Sequence, residues 1–597
     1  MQRCYVIDTS LYELNLKKHT MKYLTFTRNA TVAAITLLVG TIFANFASAD
    51  NYGDRQGYEI WGSDQSNSVA DAESRGVNGS WIWIWDSEDV EQQIATGKVA
   101  QPLGCDGSNQ PGDGPCNVYD VFPSALMEYD ATGKTQNTLG TSFGRLHGML
   151  PDPQNRYLNA NLFSPGGGYI GIIDGETKEA IALFRVSATS AGRSVHMSFW
   201  NSDGSAILVA NLNGKVLERI DIERDYDGKI VDATLNQSAA LGLGKGMEIE
   251  EDAKVYLGTN SHGNSMIGSV TGGYDMVNAF NDLTPQGFCK ENGCEAGVDS
   301  EQGGRANNVV ICPIVSDNDN AYVTFGGGGL FVVDTQATPM TILGEYDNQV
   351  VNGAGCGGVQ AGDQMWLNAG VSAAEAGAEQ STFTLFSIDD SSFGSRSNPP
   401  NTPEPTMLFK NATNTATIGN LTGELTNTTG QLPGSTTRRD SHGMATTLSG
   451  SHIHTVDRIQ NIVEVFNTST LSRTTYDLTS GDGQGNGLGA CAAASVTDDD
   501  KLPANDPAPD LLEATPDGKY LVVALRGPVP VSVTHAAQGS CPGVGIIELL
   551  EDGASGRLAS VLRSTNTIDN SPVSAPGGQD YTGVEHSDIH GAAIRRK

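Results

Sequence analysis

Short apolar runs alternate with polar, turn-forming clusters along almost the whole chain, and they do so in a fixed order. Each unit begins with an anchor residue and a short apolar stretch and then passes a polar turn. It resumes in a strand about ten residues after the anchor, and a second strand often ends in an acid. The clearest copy starts at His147-Gly-Met-Leu, turns at Pro151-Asp152-Pro153, and continues through Tyr157-Leu-Asn-Ala-Asn161 and Tyr169-Ile-Gly-Ile-Ile-Asp174. Ala180-Ile-Ala-Leu-Phe184 completes it as a fourth strand. Further copies begin at His196, Cys312, Cys356, His442 and Asp510, and a weaker one begins near Gly246. Runs of this length, grouped in fours and separated by steady turn signals, predict an all-β chain built as a β-propeller.

The two ends of the chain supply the halves of one more unit. His590-Gly-Ala-Ala-Ile594 looks like the first strand of a blade with nothing after it. Tyr58-Glu-Ile-Trp61, Trp81-Ile-Trp-Ile-Trp85-Asp86 and Leu126-Met-Glu-Tyr129 look like later strands with no anchor before them. Pairing the N- and C-terminal segments closes the ring and leaves no open sheet edge. The count is seven or eight four-stranded blades, with eight favoured if the Gly246 unit is a blade. Residues 50–597 are then one propeller domain with insertions near 271–305, a possible cap over one face, and 391–436, a long solvated loop. The strand pattern resembles that of secreted propellers of the YVTN/lactonase type, whose blades carry a similar anchor, turn and Asp-ended strand. That resemblance covers most of residues 50–597 and implies the fold, with no particular activity.

Composition sharpens the picture at the N-terminus. Lys22 to Arg28 is a short basic region, Val32 to Phe46 is apolar, and Ala47-Ser48-Ala49 has the small residues of a cleavage site. Residues 1–49 therefore read as a signal peptide, with Met21 as its natural start and an upstream extension before it. The expected location is periplasmic or secreted, and no later run is long enough to span a bilayer. With 36 Lys+Arg against 69 Asp+Glu, the net charge of −33 argues against nucleic acid and anionic membrane surfaces as partners. Of nine cysteines, Cys4 leaves with the leader, and an even set remains for an oxidising compartment. Cys105/Cys116 and Cys289/Cys294 read as loop staples, and Cys491/Cys541 as a plausible third pair. Cys312 and Cys356 share one register on neighbouring blades and admit either a disulfide or a pair of thiolate ligands.

Candidate chemistry gathers at the anchors, because the innermost strand of each propeller blade lines the central channel. Read around the closure, five consecutive blades present His442, Asp510, His590, His147 and His196. Neutral imidazoles and a carboxylate converging at one end of a channel suit a transition metal, copper or zinc. Met149, Met197 and Met444 would favour copper if their thioethers faced the channel. Glu585 and His586 precede the last anchor strand, and Glu585 is a candidate orienting group or general base. His262, His452, His454 and His535 are weaker candidates. The acidic clusters lack EF-hand spacing, the Gly481–Gly487 run is no P-loop, and no Gly-x-Ser-x-Gly elbow occurs.

The favoured function is an exported metal-binding propeller that holds Zn or Cu through the histidine ring, similar to periplasmic metallochaperone propellers. A copper-dependent oxidoreductase is the second reading, by analogy with copper enzymes built on propellers, although no cupredoxin-like Cys/His/Met cluster is present. The third is a metal-free scaffold or a lactonase-like hydrolase, with Arg145, Arg193 and Glu585 at the channel mouth. The expected partner is accordingly a metal ion or a small-molecule substrate.

Overall fold

Six of the anchors, His147, His196, Cys312, His442, Asp510 and His590, sit at the same kind of defect in the same kind of strand. In the computed structural model, the innermost strands are Leu146–Pro151, Val195–Trp200, Val310–Val315, Gly358–Ala361, Ser441–Thr446, Pro509–Ala514 and Ile589–Arg596. Each is the edge of an antiparallel sheet whose remaining strands follow outward, and neighbouring inner strands pack against one another around the hub. The contact between the Cys312 strand and the Cys356 segment is covalent, through the Cys312–Cys356 disulfide. The structure describes residues 57–65, 80–106, 110–122, 146–163, 167–274, 277–279, 282–292, 294, 305–326, 328–348, 350–351, 355–369, 380–393, 402–414, 439–496, 504–528, 539–566 and 585–597. The proposed leader, Leu126–Tyr129, Arg145 and His535 lie outside them.

Among the described residues there are five four-stranded sheets, one of five strands, one of seven, and one two-stranded ribbon. The favoured count of eight blades is therefore corrected. The Gly246 unit forms no blade of its own. Ile249–Glu251 pairs with Ala188–Thr189, Lys254–Val255 extends the His147 sheet, and Ser269–Thr271 adds a parallel strand to the His196 sheet. Its apolar content is too thin to cover two sheet faces, so it pairs with strands that neighbouring blades already supply. The 271–305 insertion is likewise edge-bound where described: Val277–Asn278 pairs with Leu241–Gly242, and helix Phe288–Asn292 packs on Thr341–Tyr346. Part of the 391–436 segment expected as a loop is a strand, Thr406–Asn414, paired with Gln380–Asp389.

The closure is formed as the termini suggest. Ile589–Arg596 pairs along Tyr58–Asp64, which pairs with Trp81–Asp86, and Cys116–Asn117 completes that sheet. Cores lie between sheets: Ile170 and Ile172 of one face Ile207 and Val209 of the next, all fully buried. Each such side chain contributes about 1.5–3 kcal/mol of burial. The three expected cysteine pairs are disulfides, and so is Cys312–Cys356, which the sequence left open. None of the described helices is long and apolar enough to cross a membrane.

The anchor defect is a β-bulge. Leu146 pairs with Leu162 and Gly148 with Asn161, so His147 is left out of the ladder. The register shifts equivalently at His196, Cys312, His442, Asp510 and His590. A bulged residue has no cross-strand partner and its side chain is re-aimed, here toward the hub. The glycine that follows three of the histidines lets adjacent inner strands close in. A Cβ on Gly443 would overlap the backbone carbonyl of Asp510, and one on Gly591 would stand 3.2 Å from the Cα of Gly148.

His454 is structural. Its ring bridges the Tyr476 hydroxyl at 3.0 Å and the Gly553 carbonyl at 2.9 Å, fully buried. Burial pushes its pKa down to about 4, with the Gly553 carbonyl opposing and His452 adding to the fall. The folded chain keeps this imidazole neutral while the unfolded chain protonates it near 6.5, so its contribution to stability is intact above pH 6.5 and is lost as pH falls toward 4. His454→Gln should flatten the decline in denaturation midpoint over that window, and an unchanged slope would contradict this assignment. Gly443→Ala should cost roughly 1–3 kcal/mol in urea unfolding, as overpacking does; an unchanged midpoint would show that the inner strands have room to separate.

Candidate metal centre

The hub brings all five anchor side chains together. His147, His196, His442 and His590 are between 2% and 6% exposed, and Asp510 is fully buried. The His147 ring stacks on His590 with centroids 3.7 Å apart and lies 4.1 Å from His196. His442 meets His590 edge-on at 5.5 Å, and Phe163 covers His147 and His196 from one side. The five do not form one ligand set. They divide into a His442–Asp510–His590 cluster and a His196–Cys312–Cys356 cluster, with His147 stacked between.

The first cluster has the donor geometry of an ion site. His442 Nε2 and Asp510 Oδ1 are 2.9 Å apart and both atoms are buried. On His590, Nδ1 donates to the main-chain carbonyl of His147 at 2.9 Å, which leaves the Nε2 lone pair facing Asp510 Oδ2 at 3.8 Å. Burial pushes the His590 imidazole well below its ordinary pKa. Asp510 opposes that shift, while Arg526, His442 and His196 reinforce it, so the ring is neutral near pH 7. Burial alone would raise the Asp510 carboxyl, but His442, His590 and Arg458 hold it well below the usual range, as a carboxylate. One ligand atom from each of His442, Asp510 and His590 lies within 4.8 Å of the others, and these residues fit a cation held by two imidazoles and a carboxylate.

Asp510 is held by groups that sequence reasoning missed. Its Oδ2 accepts from Arg526 Nη1 at 2.7 Å and lies 3.6 Å from Arg458 Nη1. Arg526 in turn donates Nε and Nη2 to the two oxygens of Asp588 at 2.7 and 2.8 Å, and Arg458 pairs with Asp440 at 2.8 Å. Asp588 takes its position from the closure, its N–H donating to Asp64 at 3.0 Å. The available signal was positional: Arg458 and Arg526 each follow the last residue of a second strand, His452–Asp457 and Tyr520–Leu525. Gln65, just beyond the closing strand, donates its amide to His147 Nδ1 at 3.0 Å. His147 braces His590 through its carbonyl and its ring face.

Other expectations are corrected here. Met149, Met197 and Met444 are buried members of the hydrophobic clusters. The disulfide state of Cys312 and Cys356 removes the thiolate pair from the ligand set. Glu585 accepts from the N–H groups of Asn566, His586 and Ser587, the last two at 3.1 and 2.9 Å, and so organises its loop. Arg193 is buried against Glu251 and donates to the Val186 carbonyl at 3.2 Å.

No protein-family model matches the chain, and no curated protein does. Among solved structures it is similar to a protein from Lactobacillus plantarum, at 11% identity and a TM-score of 0.41, covering 90% of this chain and 99% of that one. It is also similar to a putative 6-phosphogluconolactonase from Bacteroides uniformis, at 10% identity and 0.39, covering 84% and 95%. A periplasmic gluconolactonase from Pseudomonas aeruginosa aligns at 9% identity and 0.39, covering 85% and 98%. Likenesses this remote carry no activity over.

Replacing Arg526 with Ala would leave Asp510 and Asp588 buried without their shared cation. The expected loss is about 3–5 kcal/mol in denaturant unfolding, with Arg526→Lys recovering part of it. A loss under about 1 kcal/mol, the range of an exposed pair, would contradict the role given to this ion pair.

Proposed function

We propose that this protein is an exported metal-binding β-propeller that holds one transition-metal ion at its hub through His442, Asp510 and His590. The observation that carries this reading is the grouping of three buried side chains, His442, Asp510 and His590, whose ligand atoms lie within 4.8 Å of one another, with His442 Nε2 2.9 Å and His590 Nε2 3.8 Å from the Asp510 carboxylate. A set of two nitrogens and one oxygen, without thioether or thiolate, suits Zn²⁺ or Cu²⁺. The His590 hydrogen bond to a main-chain carbonyl and the Arg526 bond to Asp510 are the outer-shell supports such ligands use. The basic, apolar and Ala-Ser-Ala order of residues 22–49 supports export, and four disulfides suit an oxidising compartment.

Zinc titration by calorimetry tests this reading. Wild-type protein should take up one equivalent, His442→Ala/His590→Ala should take up none there, and circular dichroism should show an unchanged β-spectrum. His147→Ala should keep the equivalent with affinity weakened by about 10–100-fold, the usual cost of losing a supporting group. Stoichiometric uptake by the His442/His590 double variant would overturn the site. Uptake should also fall in acid, because imidazole ligands must be deprotonated to bind.

A further inference from the structure

The second cluster at the hub takes no part in the proposed ion site. His196 Nδ1 lies 3.8 Å from Cys312 Sγ and 3.9 Å from Cys356 Sγ, so one imidazole nitrogen faces both sulfurs of a disulfide. All three residues are buried, at 2%, 0% and 7% exposure, and their ligand atoms lie within 4.8 Å of one another. They come from adjacent parts of the ring: the bulges of the Val195–Trp200 and Val310–Val315 strands and the segment before Gly358–Ala361. The other three disulfides have no histidine ligand atom grouped with them among the described residues. While the S–S bond stands, its sulfurs are poor ligands, because metals bind thiolates.

We infer that Cys312, Cys356 and His196 form a second, redox-gated metal site, closed as the disulfide and opened as a Cys₂His site for Zn²⁺ when an external dithiol reduces the bond. The chemistry balances by thiol–disulfide exchange. A thiolate of the dithiol attacks one cysteine sulfur, the Cys312–Cys356 bond breaks, and a mixed disulfide forms. The second thiol of the reagent then displaces the remaining cysteine, giving two protein thiols and an oxidised, cyclic reagent. Zn²⁺ takes both sulfurs as thiolates with His196 as the third ligand, releasing two protons. Cys₂His with an open fourth position is an established zinc donor set. Ion binding to the reduced form alone draws the exchange toward the open state, so metal and reductant act together.

The site does not depend on the His442–Asp510–His590 reading, and the experiment separates the two. Full-length protein is incubated with excess dithiothreitol or with none, desalted without air, and titrated with Co²⁺ and then Zn²⁺. Reduced wild-type protein should bind one equivalent more than oxidised protein, and its Co²⁺ form should show a thiolate-to-cobalt charge-transfer band absent from the oxidised form. His196→Ala, which keeps the disulfide, and Cys312→Ser/Cys356→Ser should each lose the added equivalent and the band. His442→Ala/His590→Ala should keep both, even if it binds nothing when oxidised. A reduced wild type that gains no equivalent, or a gain that survives in both the His196 and the cysteine variants, would overturn the proposal. The latter would assign the metal to the other six cysteines.

Discussion

Closure of the ring is the constraint on which the rest of the molecule depends. A circular array of sheets has a free edge wherever its first and last members fail to pair, and here the last strand of the chain closes that gap. Ile589–Arg596 lies along Tyr58–Asp64, and its bulge delivers His590 between His147 and Asp510. The same junction sets Asp588 against Asp64 and, through Arg526, fixes the carboxylate of Asp510. Residues far apart in sequence therefore become neighbours only when the propeller is complete. The centre exists in the closed ring and not in any separate sheet.

The bulges convert a repeating fold into a site. A regular ladder would direct the anchor side chains into the cores between sheets, where Met149, Met197 and Met444 in fact lie. Skipping one cross-strand partner turns the anchor to the hub instead. The glycine after it then admits the neighbouring strand at a distance that no side chain would allow. His-Gly at this position thus has a packing cause as well as a chemical one. The buried ion pairs around Asp510 cost desolvation that their attraction mainly offsets, so their value lies in orientation more than in stability.

The sequence made the architecture and the anchor residues legible because both are local: strand-length apolar runs, turns and a recurring register position. It failed where pairing partners are distant. The Gly246 unit has strand-like runs, but their partners are edges of neighbouring sheets, and Thr406–Asn414 hides its strand among polar residues. The division of five anchors into two clusters was also out of reach. It turns on the direction of single ring nitrogens: His590 Nδ1 toward a carbonyl, and His147 Nδ1 toward Gln65. Arg458 and Arg526 occupy equivalent positions after their strands, but a lone arginine carries no pattern until the carboxylate it serves is known.

The central claim is that one ion is shared by His442, Asp510 and His590, and locating that ion tests it most directly. Crystals of the protein grown with zinc, with diffraction measured on both sides of the zinc absorption edge, would show it as an anomalous difference peak. The account predicts one peak within about 2.0–2.2 Å of His442 Nε2, Asp510 Oδ1 and His590 Nε2. An empty hub in zinc-saturated crystals, or a peak bound only at the acidic surface, would contradict it.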